Sequence, residues 1–152
     1  MGQSPRLQSI EILVVDDNPG DVQLIVEALQ EAELSNQLHS VGDGVAALAF
    51  LRREGSYQDA PRPDLIFLDL NLPKKDGGAV LEEIKVDPNL RGIPVVVLTI
   101  SRADADVRKV YDLNVNCYIT KPVDFAEFVA VVQAIYHFWF AIVTLPPKRP
   151  TR

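Results

Sequence analysis

The chain alternates two kinds of segment five times over. Short apolar, β-branched runs are each followed by a longer stretch with apolar residues at three- and four-residue intervals, the pattern of parallel strands joined by crossover helices. "EILVV" (11–15) reads as the first strand. Asn18 can cap and Pro19 can open a helix to about Glu33, with Val22, Ile25, Val26 and Leu29 on its inner face. "QLHSV" (37–41) is the second strand, "GVAALAFLRRE" (44–54) the second helix, and "GSYQDAPRP" (55–63) a loop rich in turn residues. "DLIFL" (64–68) is the third strand, and the helix over "GAVLEEIKVD" (78–87) is stopped by Pro88. "IPVVVL" (93–98), a helix over "DADVRKVYDLN" (104–114), "CYIT" (117–120) and a long helix over 124–143 complete the series.

Near-continuous apolar strands belong to a sheet covered on both faces. The expected fold is therefore α/β: a doubly wound, five-stranded parallel sheet in a (βα)5, flavodoxin-like three-layer sandwich. At 152 residues, 47% hydrophobic and 24% charged, the chain suits one domain with a sizeable core. The expected division is an N-terminal extension (1–9), a domain (10–143) and a tail (144–152) with no output domain. A formal charge of -6 argues against a nucleic-acid partner, and the start "MGQSPRLQSI" has no apolar leader, which points to the cytoplasm. The single cysteine, Cys117, excludes a disulfide framework and a paired-cysteine metal site.

In doubly wound sheets, ligands sit beyond the carboxyl ends of the strands. Strand one ends in Asp16 and Asp17, strand three in Asp69, strand four in Thr99, and strand five in Thr120 and Lys121. Carboxylates held that close raise one another's pKa unless a cation neutralises them, and an all-oxygen donor set suits Mg²⁺. Lys121 offers a fixed positive charge and Thr99 a hydroxyl where an anionic group on Asp69 needs partners. A carboxylate can attack a phosphoryl group to give an acyl phosphate, so Asp69 is the expected acceptor. Taken singly, each residue has an ordinary reading as a turn or cap; their conjunction on four strand ends favours chemistry.

The motifs "VVDDN" (14–18), "LDLNLPKKDG" (68–77), "VLTIS" (97–101) and "YITKP" (118–122) resemble the receiver domains of two-component response regulators, over about residues 10–140. The resemblance implies phosphoryl transfer from the phosphohistidine of a sensor histidine kinase to Asp69, with Asp17, Asp69 and the backbone carbonyl of Asn71 on Mg²⁺ and Asp16 assisting. It further implies that Thr99 and Lys121 bind phosphoryl oxygens and that Tyr118 changes rotamer between states. Such a protein catalyses its own phosphorylation and slow dephosphorylation and is otherwise no enzyme. Ile100 departs from the small residue usual beside the phosphoryl pocket. The long loop before Asp64, the aromatic last helix and the "TLPPK" tail resemble the small stand-alone receivers paired with cyanobacterial phytochrome kinases.

With no output domain, the signal must leave through a protein surface. On the last helix, Phe125, Phe128, Val129, Val132, Ile135, Tyr136, Trp139 and Val143 form a stripe that can cover the sheet. A second apolar face carries Val131, Ala134, Phe138, Ile142 and Leu145, and with Trp139 these make the expected homodimer interface. A groove for another, unidentified target and a membrane surface are the other occupants, but a helix that closes a soluble core cannot also span a bilayer. Rival functions remain: a phosphatase of the haloacid dehalogenase type, a nucleotide-binding module, and a receiver-like binding platform that works without phosphorylation. The first expects a second acid where Asn71 stands, and the second a glycine- or hydroxyl-rich loop where the chain has "DDNPGD". The third draws its support from Ile100. A zinc enzyme lacks ligands, since His39, His137 and Cys117 lie on separate elements.

Overall fold

The computed structural model describes residues 10–30, 36–99, 108, 117–122 and 124–138. Five parallel strands, β1 (Ile10–Val15), β2 (Asn36–Val41), β3 (Leu65–Leu68), β4 (Val95–Thr99) and β5 (Cys117–Thr120), form one sheet in the order β2-β1-β3-β4-β5. Among the described residues four α-helices accompany them: α1 (Pro19–Gln30), α2 (Gly44–Arg52), α3 (Gly77–Val86) and α4 (Phe125–His137). The expected helix over 104–114 lies outside the described residues.

The two-residue period of a strand sends alternate side chains to opposite faces, and the core divides accordingly. Leu13, Val15, Ile66, Leu68, Val95 and Val97 point to the face covered by α2 and α3, where Leu48, Leu51, Val80, Leu81 and Ile84 meet them. Ile12, Val14, Leu65, Phe67, Val96 and Leu98 point to the other, where α1 contributes Ile25, Ala28 and Leu29, and α4 contributes Phe128, Val132, Ile135 and Tyr136. Both faces are thus sealed, as the apolar runs require.

Every described helix opens on a side-chain cap. Asn18 Oδ1 accepts from the Gly20 and Asp21 amides, Asp43 from Ala46, Asp76 from Ala79 and Asp124 from Glu127. Each cap occupies helix-end donors that have no partner within the helix.

Several boundaries differ from the sequence reading. The loop at 55–63 contains a 3-10 turn, Gly55–Tyr57, after α2 ends with Arg53 in the left-handed region (φ 56°). β3 begins at Leu65, and just before it Asp64 is tied to β1 by its amide, which donates to Glu11 O (2.7 Å), and by its carboxylate, which accepts from the Glu11 amide (2.8 Å). β4 begins at Val95 and includes Thr99, since Pro94 has no amide hydrogen to donate to a ladder. On α1, Ala28 takes the fully buried place expected of Val26, which is only half-buried. Phe125, expected on the core-facing stripe, is 60% exposed. It is the first residue of α4, and the stripe makes buried contact one turn later, at Phe128. No helix among the described residues is long and apolar enough to cross a membrane.

Candidate functional site

The strand register brings the carboxyl ends together. Val15 pairs with Leu68, Leu68 with Val97, and Thr99 with Thr120, so the residues just beyond these pairs emerge on one edge. Backbone hydrogen bonds continue past the strands and fix that edge: Asp16 N donates to Val41 O (3.1 Å), Asp69 N to Val15 O (2.9 Å) and Lys121 N to Thr99 O (2.7 Å). Each functional side chain therefore departs from a backbone tied to the neighbouring strand.

Among the described residues, the buried polar or charged side chains are Asp16, Asp69, Thr99 and Lys121. All four are at this edge. Lys121 Nζ lies 2.7 Å from Asp16 Oδ2, 2.9 Å from Asp69 Oδ2 and 2.7 Å from Asp21 Oδ2. Thr99 Oγ1 donates to Asp69 Oδ1 (3.0 Å), which also accepts from the Asn71 amide (3.0 Å). Asn71 Nδ2 in turn donates to Thr99 Oγ1 (3.4 Å). Asp69 is thus oriented through both oxygens, one toward β4 and one toward Lys121.

The cluster carries more negative charge than Lys121 balances. Burial raises the Asp16 pKa from its ordinary 3.8, against the opposing pull of Lys121 and the Asn18 amide, and the Asp69 charge adds to the rise. For Lys121, burial alone would lower the pKa, but three carboxylates outweigh it and drive the value up, so the ammonium is a fixed charge. Asp16, Asp17 and Asp69 can each present an oxygen within 4.8 Å of the others. Asp17 is exposed and the other two buried, so the cluster opens to solvent on one side. Such an oxygen set fits a hard divalent cation.

The loop after β3 is held tightly against this edge. A β-carbon added at Gly77 would overlap the carbonyl oxygen of Asp69, and one added at Gly44 would overlap that of Lys75. The Gly77 amide donates to Leu70 O (2.9 Å), so α3 starts directly beneath the acceptor residue.

The sequence missed Asp21 as a partner of Lys121 and Asn71's side chain as a partner of Thr99. The acidic run "DDNPGD" was a signal for Asp21, which the Asn18 cap places in the first turn of α1. Tyr118 is half-buried and packs against the cluster beneath α2 and α3. Of the second face on the last helix, Ala134 and Phe138 are exposed, whereas Val131 is half-buried against the α1–α4 core. Trp139, Ile142, Leu145 and Ile100 lie outside the described residues.

Comparison with known proteins agrees with this geometry. The family model "Response regulator receiver domain" matches residues 12–133. The chain is 50% identical to response regulator Rcp1 of Synechocystis sp. over 135 residues, which cover 89% of this chain and 92% of that protein. The structure of the phosphorylated cyanobacterial phytochrome response regulator RcpA superposes with a TM-score of 0.90 at 49% identity, covering 92% of this chain and all of that one. The Mn²⁺-bound form of Rcp1 gives 0.88 at 48%, over 91% of this chain and 99% of that one. The match spans the strands, the acidic edge and the lysine at once, and the chain belongs to the response regulator receiver domain family.

Proposed function

We propose that this protein is a cytoplasmic receiver, its functional unit spanning residues 10–143, that takes a phosphoryl group on Asp69 from a phytochrome-type sensor histidine kinase and signals through protein contacts. The observation that carries the reading is the pairing of Asp69 with Lys121 and Thr99 at a buried strand edge beside two further acids. The relatives named for phytochrome response regulation support the pathway. Asp69 Oδ2, the oxygen beside Lys121, is the nucleophile. Its electron pair forms the new P–O bond, the bond from phosphorus to the donor's nitrogen breaks, and the leaving imidazole keeps that pair and takes up a proton. Lys121 and Thr99 then donate to oxygens of the acyl phosphate.

Mg²⁺ is the proposed ion, held by Asp16, Asp17, Asp69 and the Asn71 carbonyl. Bound there, it neutralises charge on the transferring phosphoryl oxygens. Tyr118 is proposed as the aromatic that reports the state of Thr99, because it lies on the strand paired with β4.

The test is intact mass after incubation with Mg²⁺ and acetyl phosphate. Wild type should gain one phosphoryl group, and Asp69→Asn or added EDTA should abolish the gain. A folded wild type that gains nothing overturns the reading.

A further inference from the structure

We propose that Asp21 is a positioning residue that restrains phosphorylation by competing with the phosphoryl group for Lys121. The inference rests on the assignment of Asp69 as acceptor, and it concerns a residue outside the motifs that carried that assignment.

An ammonium has three hydrogens to donate. In this structure Lys121 is within hydrogen-bond distance of three carboxylates, so all three are committed, to Asp16, Asp69 and Asp21. A phosphoryl oxygen can be bound by Lys121 only if one of these partners is displaced. The three are not equal. Asp69 Oδ2 gives up its charge as it bonds phosphorus and stops competing, whereas the Asp16 side chain is 3% exposed and losing the lysine would leave its charge in a poorly solvated place. Asp21 is 24% exposed, and water can take over what the lysine gives up. Of the two carboxylates that still compete with the phosphoryl oxygens, Asp21 is therefore the one that yields.

Charge reinforces the effect. Asp16, Asp17, Asp21 and Asp69 surround a single lysine, so even a divalent cation on the acidic cluster would leave one negative charge facing the incoming phosphoryl group. Asp21 holds no place in the Asp16, Asp17 and Asp69 cluster that could bind a cation. It adds repulsion and takes a donor. It sits in the first turn of α1, where the Asn18 cap and the helix end fix its position, so the link to Lys121 is prearranged.

The experiment uses the full chain with saturating Mg²⁺ and acetyl phosphate, following intact mass with time for wild type, Asp21→Asn and Asp21→Glu, and then following loss after the donor is removed. Asp21→Asn should gain the phosphoryl group about two- to fivefold faster, the range of a partly exposed ion pair, and should lose it more slowly. Asp21→Glu, which keeps the charge, should stay near wild type. A purely structural role for Asp21 predicts the opposite pair: slower gain and faster loss as the site loosens. Equal or slower gain in Asp21→Asn, while wild type is labelled at Asp69, overturns this inference alone. No labelling of wild type overturns the acceptor assignment and this inference with it.

Discussion

A lysine with three carboxylate partners is stable because each side satisfies the other. Lys121 desolvated alone would be costly, and so would Asp16 and Asp69, but together their polar atoms are matched. Removing one side should therefore hurt more than a surface ion pair. Lys121→Met should lower unfolding free energy by about 3 kcal/mol in metal-free buffer, because buried carboxylates are left without a cation. Mg²⁺ should restore part of that loss, and more than it adds to wild type. Urea unfolding with and without Mg²⁺ measures both numbers, and an equal Mg²⁺ increment in the two proteins would refute the account. Thr99 has a different place: its hydroxyl relays between Asn71 and Asp69 and carries no charge, so it orients the acceptor without adding to the field.

At the scale of elements, the site depends on how closely α3 can approach the end of β3. Gly77 begins α3 against the Asp69 carbonyl, and a methyl group has nowhere to go without moving backbone. Gly77→Ala gains about 1 kcal/mol of helix propensity in principle, yet the displaced backbone should outweigh it. The expected outcome is a net destabilisation of about 2 kcal/mol in thermal or urea unfolding, with slower phosphorylation of Asp69. A more stable variant would show that the loop can move away freely. The cap of α1 was legible in the sequence because Asn18 stands directly before Pro19 and an apolar-periodic run, whereas Asp124 was read as the first helical residue and is the cap. The outward turn of Phe125 was not, since periodicity marks a stripe without saying where along the helix its first buried contact falls.

At the scale of the whole molecule, the sheet's two faces take up most apolar side chains among the described residues, and the large apolar ones left exposed there are Val45, Val86, Phe125 and Phe138, the last at 49% exposure. We propose that α4 and the chain after it form a homodimer contact through Phe138 and Ala134, together with Trp139, Ile142 and Leu145. Phe138→Glu should then shift sedimentation from dimer to monomer while leaving acetyl phosphate labelling intact, and a wild-type dimer mass in the variant would sink the idea. The sequence by itself determined the order and type of the described elements, and with them the edge where Asp16, Asp69, Thr99 and Lys121 meet. Strand and helix periods are local, and parallel strands of one sheet end on the same side, so one-dimensional order was enough. The tertiary structure alone decided that Lys121 would take Asp21 as a third partner, that Gly77 would lie against Asp69, and that Val131 would be half-buried against the core. Lys121 and Asp21 are 100 residues apart in the chain, and their meeting depends on the sheet bringing the start of α1 and the end of β5 to one edge, which no local pattern records.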